Sequence, residues 1–429
     1  MKIPVIIDTD PGVDDVLAIL LALASPELDV RAIIVSYGNT TLEASHLNII
    51  KLYHALLQHL EQYPEQKSRY PGLANTHKVI LAKGCSDPLA GEIHSAEYFH
   101  GRDGLGDIDE RHPDLNTELP TAEHSHLVLT DRPGVEVACE IIENEPSRSI
   151  TYVALGPLTN LARLLRVGGD SVRDRIGRVV CMGGALDVPG NTNPVAEFNF
   201  FADPYAVKEL LLPDDPRSGL PLERFLLLPL DITTPHELPF PIYATQVDPT
   251  FENATTRPSQ PKGKPPLVHF TSSFLERTRE IMVSYGKDAM ELHDIVAVWC
   301  AIANPPVEVE TAGALPKLEP GWKASQRKFQ IERIGEITRG MCVVDRREDP
   351  GAYAPGANRA EMQAELEKHH LHHSGPFEST ALPAQVEVER ASDALPRNLT
   401  TGGVACVFET PGPEVLLKLL LERVWGVTG

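Results

Sequence analysis

Four aspartates stand within eight residues near the start of the chain: Asp8, Asp10, Asp14 and Asp15, in the run DTDPGVDD. Carboxylates this close repel one another unless a cation or hydrogen-bond donors compensate. Placing them at the tip of a buried strand is costly without such a partner. Pro11 and Gly12 favour a tight turn that folds Asp14 and Asp15 back beside Asp10. Asp14 and Asp15 then open the following helix, whose positive dipole end favours acids. The result is an oxygen-rich pocket of the kind that a hard cation such as Ca²⁺ takes. A turn followed by acids in a first helical turn also serves as a plain helix cap, so the run alone leaves both readings open. An EF-hand is excluded, because counting from Asp8 its sixth and twelfth positions hold Val13 and Ile19 instead of Gly and Glu.

Two further runs carry polar groups suited to a small-molecule site. Asn191, Glu197 and Asn199 lie in GNTNPVAEFN, and the alternation at Glu197 and Asn199 predicts both on one side of an extended segment. His293 precedes Asp294 in ELHDIVAVW, a pair that caps a helix start as readily as it does chemistry. The imidazole-rich KHHLHH at Lys368–His373 lies within a polar insertion and reads as compositional.

These residues need a scaffold. Residues 3–7 (IPVII) form a short continuous apolar run, as expected of a central parallel strand buried on both faces. Asp14 to Ala24 reads as a helix, and a second apolar strand follows at 30–35. Further strands are expected at 148–155, 177–182 and 224–230, each followed by a polar, glycine-bearing or acidic run. Strands alternating with helical segments predict an α/β fold with a doubly wound, mostly parallel sheet. In such sheets ligands bind beyond the carboxyl ends of the strands, where every run above lies. Residues 59–76, 108–124, 213–222, 245–266 and 346–400 lack sustained periodicity and read as insertions, the last with a helix around Arg359–His370. Sheet-forming sequence resumes at 403–408, and Pro413–Trp425 reads as a closing amphipathic helix, so the expectation is one domain with decorated loops.

Composition narrows the function. A net charge of −21 opposes binding of nucleic acid through a basic face. Six scattered cysteines (Cys85, Cys139, Cys181, Cys300, Cys342 and Cys406) without a CxxC pair indicate neither a disulfide framework nor a zinc site. The N-terminal run lacks an apolar signal core, and no stretch has the roughly 20 apolar residues of a membrane helix. A cytoplasmic enzyme acting on a small molecule is the expectation, and the sequons at Asn39, Asn253 and Asn398 are chance matches.

DTDPGVDD followed by VLAI resembles the N-terminal signature of the inosine–uridine-preferring nucleoside hydrolase family. The family's other landmarks follow in order: YGNTTLE (37–43), HGRDGLG (100–106), LGPLTNLA (155–162), MGG (182–184), the 190–206 run, LDITT (230–234), LHDIVAV (292–298) and ITRGMCVVD (337–345). The resemblance implies hydrolysis of the N-glycosidic bond of a ribonucleoside. It implies Ca²⁺ held by Asp10, Asp15, Asp294 and the backbone carbonyl of Leu155, with Asp10 also the base that activates water. Asp14, Asn39, Asn191, Glu197, Asn199 and Asp294 are implied to contact ribose, joined by Met182. His293 is implied to stand beside the nucleobase as general acid, its ordinary pKa near neutrality suiting that task. Tyr285 and His100 are candidates for the base pocket, and retention of His293 points to a pyrimidine-capable or broad enzyme. Relatives imply a homodimer or homotetramer.

Two alternatives stand beside this reading. One is a member of the family that binds its ligand without turnover. The other is a haloacid-dehalogenase-type phosphatase, which also begins with an apolar strand and DxD but wants Thr or Val where Gly12 stands.

Overall fold

A computed structural model describes residues 2–75, 77–117, 123–215, 217–253, 258–307, 313–346 and 403–427. The chain divides into two units, Met1–Val343 with Thr400–Gly429, and Val344–Leu399. The fold below is that of the first. The expected helix at Arg359–His370 and the KHHLHH run lie outside the described residues.

The strands are β1 (Ile3–Thr9), β2 (Leu28–Val35), β3 (Val79–Lys83), β4 (Leu127–Thr130), β5 (Thr151–Ala154), β6 (Arg178–Met182), β7 (Phe225–Leu228), β8 (Glu237–Pro239), β9 (Ala289–Glu291), β10 (Lys323–Arg327), β11 (Phe329–Ile331), β12 (Cys342–Val344) and β13 (Val404–Glu409). Nine of them form the main sheet in the order β10-β13-β7-β6-β5-β1-β2-β3-β4. Its neighbours run parallel except for the β10–β13 edge pair. The apolar runs at 3–7, 30–35, 148–155, 177–182 and 224–230 thus become the sheet's buried interior. Flanking helices cover both faces, which is why these strands read as continuous hydrophobic stretches and not as alternating ones.

From β1 the chain winds outward through β2, β3 and β4, then returns to lay β5 on the other side of β1. Register places Asp8 opposite Ala154 on β5 and opposite Ile34 on β2. The loops leaving β1 and β5 therefore diverge, and a crevice opens between them at the carboxyl end of the sheet.

The helices used below are α1 (Val13–Leu23), α2 (Leu42–Gln62), α3 (Thr159–Arg175), α4 (Phe198–Ala202), α5 (Pro266–Ser284), α6 (His293–Ala303) and α7 (Pro413–Leu420). Helix α1 is apolar almost all round and buried almost throughout, as a helix held between the sheet and other helices must be. It packs on α6, which is buried along Asp294–Ala301. Both carry their acids in the first turn, Asp14 and Asp15 on α1 and Asp294 on α6. Packing two apolar helices side by side is what brings distant acids to one place.

Residues 59–75 include the last turn of α2 and two 3₁₀ turns, Pro64–Arg69 and Pro71–Ala74. Tyr70 there is fully buried and donates its hydroxyl to the Val424 carbonyl at 2.6 Å. Beyond α7 a π-helical turn, Leu421–Trp425, completes the C-terminal helical segment.

Candidate active site

The chain leaves β1 at Thr9, and Asp10 falls at the mouth of the crevice with 1% of its surface exposed. Asp10 Oδ2 accepts the Asn39 N–H at 2.7 Å, whereas Oδ1 is buried without a hydrogen-bond partner among the described residues. Glycines flank it on two sides. A Cβ on Gly38 would lie 1.9 Å from Oδ2, and one on Gly156 would lie 2.5 Å from Oδ1. The SYGNT and LGPLTN loops thus owe their glycines to close approach around this carboxylate.

Asp15 is held by three donors: Thr9 Oγ1 at 2.5 Å, the Gly12 N–H at 2.9 Å and Asn39 Nδ2 at 2.9 Å. Asn39 therefore positions both Asp10 and Asp15, through its backbone and its side chain. One carboxylate oxygen each from Asp14, Asp15 and Asp294 lie within 4.8 Å of one another. This triple includes Asp14, whereas the ligand set implied by resemblance has Asp10 in its place.

Burial pushes all four acids above the ordinary carboxylate range, and neighbouring acids raise Asp10, Asp14 and Asp294 further. Asp10 rises through burial and then Asp15, and Asp294 through burial and then Asp14, Asp15 and Asp10. Burial is the first cause for Asp14, pushed up to about 7, and for Asp15. Four such groups demand either protons or a cation. The orphaned Asp10 Oδ1 and an all-oxygen donor set fit a hard metal ion.

Asp8, by contrast, turns away from this cluster. Its oxygens accept from Tyr152 Oη at 2.8 Å and Asn160 Nδ2 at 2.7 Å. Asn160 also accepts the Cys85 N–H at 2.8 Å, so it ties the β3 loop and the α3 start to β1.

A cavity of about 340 Å³ opens above the acids. Among its walls are Asp14, Asn39, His100, Leu155, Met182, Asn191, Glu197, Asn199, Tyr285, His293 and Asp294. Asp10 and Asp15 are not among these walls, but both are bonded by Asn39, which is. The residues expected from sequence thus meet in one place, with one correction of local structure. Glu197 and Asn199 do not share an extended segment: Glu197 caps the short helix α4, and Asn199 sits inside it. The capping arises because Glu197 accepts backbone N–H groups from Asn199 at 2.7 Å, Phe200 at 3.1 Å and Gly184 at 2.7 Å. Asn191 Oδ1 accepts the Phe198 N–H at 3.0 Å, which closes the loop around the same helix start. Asn199 Nδ2 donates to the Leu155 carbonyl at 2.6 Å, linking α4 to the tip of β5.

On the opposite wall, His293 Nδ1 bonds Thr233 Oγ1 at 2.8 Å and Nε2 faces Glu291 Oε2 at 3.1 Å. Although burial opposes its charge, Glu291 falls to about 2, because His293 and Lys287 bond and attract its carboxylate. Buried His100 accepts the Val13 N–H on Nδ1 at 3.2 Å, and burial followed by nearby His293 lowers it to about 3. Tyr285 stands at the mouth, 66% exposed. Sequence reasoning missed Tyr98, Phe99, Met282, Lys287 and Glu291, which also line the cavity. Tyr98 and Phe99 immediately precede His100, and Glu291 stands two residues before His293, so proximity to a motif was the available signal.

Known proteins resemble the chain in sequence and in fold. The model for inosine-uridine preferring nucleoside hydrolases matches residues 5–371. The chain is 32% identical over 354 residues to the pyrimidine-specific ribonucleoside hydrolase RihA of Klebsiella pneumoniae, covering 80% of this chain and 89% of that one. It is 29% identical over 345 residues to RihA of Escherichia coli strain K12, with the same coverage. In fold it is similar to a plant nucleoside hydrolase, with TM-score 0.61, 21% identity and 99% of both chains covered. It is also similar in fold to a purine-preferring ribonucleoside hydrolase from Gardnerella vaginalis, with TM-score 0.56, 24% identity and 81% and 90% covered. The chain belongs to the inosine-uridine preferring nucleoside hydrolase family, and it is a nucleoside hydrolase that cleaves N-glycosidic bonds.

Proposed function

We propose that this enzyme hydrolyses ribonucleosides of the uridine and inosine class with a Ca²⁺ ion held by Asp10, Asp15, Asp294 and the Leu155 carbonyl. The observation that carries the reading is Asp10: a buried carboxylate wedged between two glycines, one oxygen orphaned, beside three further acids. When bound, a hard divalent ion acidifies water and binds vicinal hydroxyls.

The chain's own groups divide the remaining work. Asp10, fixed through Oδ2 by Asn39, keeps Oδ1 to take a proton from the attacking water as general base. Asp14 is the least buried of the four acids and faces the cavity, where a ribose hydroxyl can reach it. Asn199 spends Nδ2 on Leu155, so its Oδ1 accepts from ribose. Asn191 spends Oδ1 on Phe198, so its Nδ2 donates to ribose. Glu197, Asn39 and Met182 complete the ribose floor. These contacts resist water while an oxocarbenium-like sugar forms.

The departing base lies against His100, His293, Tyr285 and the aromatic pair Tyr98–Phe99. His293 Nε2, which faces the Glu291 carboxylate, turns to donate to the base once the substrate displaces that contact. His100, with Nδ1 occupied, offers only Nε2–H, a donor suited to a pyrimidine carbonyl. Presence of His293 and likeness to proteins named pyrimidine-specific support a pyrimidine-capable enzyme. Six free cysteines fit a reducing cytoplasm, and a homodimer or homotetramer is the assembly proposed.

Ribose release from uridine, cytidine and inosine, without phosphate and with or without a chelator, tests the reading. Activity should vanish on chelation and return with Ca²⁺, and Asp10→Asn should abolish it. Chelator-resistant turnover, or a requirement for phosphate, would reject it.

A further inference from the structure

A second cluster with ligand chemistry lies outside the cavity, where the segment after HGRDGLG meets α5. That segment forms a helical turn at Ile108–Arg111 and a 3₁₀ turn at Pro113–Leu115. His112 and Asp114 project from it, and His269 projects from the first turns of α5. One ring nitrogen of each histidine and one Asp114 oxygen lie within 4.8 Å of one another. Both imidazoles are 3% exposed, whereas the Asp114 carboxylate is 43% exposed.

The surroundings orient these rings as metal sites orient theirs. His269 Nδ1 bonds Ser259 Oγ at 2.9 Å, which aims Nε2 at Asp114 Oδ2, 2.8 Å away. His112 Nε2 bonds the fully buried Glu276 at 3.0 Å, and its Nδ1 has no partner among the described residues. A coordinating histidine commonly gives its other ring N–H to a carboxylate or hydroxyl, and Glu276 and Ser259 stand in those places. Glu276 is itself fixed by the Ser259 N–H and Arg111. The rings meet edge to face with centroids 5.7 Å apart.

We propose that His112, Asp114 and His269 form a second metal site, taking a divalent transition cation of the zinc type. Two imidazoles and one carboxylate suit such an ion better than Ca²⁺, which prefers oxygen donors. Tetrahedral zinc with bonds of about 2.1 Å sets neighbouring donors roughly 3.4 Å apart. Small side-chain movements therefore close the site, and the exposed face of Asp114 admits the ion. Binding requires the lone pair of His269 Nε2, so Nδ1–H then donates to Ser259. The ion would tie two walls of the substrate cavity together, since His100 precedes this segment, Met282 lies in the last turn of α5 and Tyr285 caps it.

The test first weakens the carboxylate cluster by taking away one of its acids. In the full-length Asp294→Asn protein, stripped of metal, zinc titrated against a chromophoric chelator should bind at one equivalent per chain. Cobalt should give visible absorption of a nitrogen-ligated, low-coordinate site, and zinc should raise the melting temperature. Adding Asp114→Asn should weaken zinc binding by more than about tenfold and remove both signals. The amide introduced by Asp114→Asn retains a hydrogen-bonding oxygen at a half-exposed position, so this variant remains informative even if His112→Gln or His269→Gln does not fold. Zinc binding unchanged by Asp114→Asn, or no binding at all to the Asp294→Asn protein, overturns the proposal.

Discussion

Asp10 and Gly156 face each other across the gap where the strand order reverses: a Cβ on Gly156 would lie 2.5 Å from Asp10 Oδ1. Ordinary carbon–oxygen contact needs more than that, so Gly156→Ala must push the carboxylate aside or spread the β1 and β5 loops. A displacement near 1 Å in a reacting group costs about 10²-fold in rate. We expect kcat/KM for ribose release to fall by about that factor or more, with an unchanged circular dichroism spectrum. Near-wild-type turnover in a folded Gly156→Ala protein would mean that the orientation of Asp10 is dispensable.

Asp8 is a different kind of acid, although it stands only two positions before Asp10. Asn160→Ala removes one donor from its buried carboxylate and leaves the Cys85 N–H unpaired. Two buried groups losing partners should destabilise the fold by about 3 kcal/mol. Urea denaturation measures this, and KM below the unfolding transition should change little. Unchanged stability with a large loss of turnover would instead assign Asn160 to chemistry.

What the sequence made legible follows from the same contrast. Continuous apolar strands followed by acids or glycine disclosed a parallel sheet and the end of it that carries the site. DTDPGVDD disclosed an acid cluster that calls for protons or a cation, although the run by itself left a plain helix cap open. Spacing alone did not reveal which aspartate faces inward: Asp8 lies within β1 and meets Tyr152 and Asn160, whereas Asp10 lies just past the strand's end. Glu197 was misread locally because alternation of two polar residues looks the same in a strand and at a helix cap. Glu291, Lys287 and Tyr98 went unseen, since a cavity wall built from separate loops has no sequence period. The run KHHLHH drew notice by composition. Asp114 and His269, by contrast, stand 155 positions apart and meet, beside His112, only in the fold.

His100 illustrates how burial selects one role from two. Its Nδ1 accepts a backbone N–H, and burial lowers its pKa to about 3, so it stays neutral throughout any practical assay range. It can donate from Nε2 to a base but cannot deliver a titrating proton. His100→Ala should reduce kcat/KM on uridine by about tenfold or more, the worth of one hydrogen bond in a dry site. The acid limb of the pH–rate profile should stay in place. A limb that moves in His100→Ala would show that this ring titrates during turnover.

His46, on α2 and 8% exposed, gives the fold an acid sensitivity separate from the active site. Burial first, and Lys83 second, lower its pKa to about 4, against opposing pulls from Asp131 and Glu43. The unfolded chain holds this histidine near 6.5, so between the two values the unfolded state binds more protons than the native one. Its contribution is therefore fully present above about pH 6.5 and is lost as pH falls toward 4, by up to about 3 kcal/mol. The buried acids of the active site titrate in the opposite sense, which makes the total profile a poor test. The difference between wild type and His46→Gln isolates the ring: the variant should lose less stability than wild type between about pH 7 and 4.5. Parallel stability curves for the two proteins across that range would show that His46 is not buried as a neutral ring.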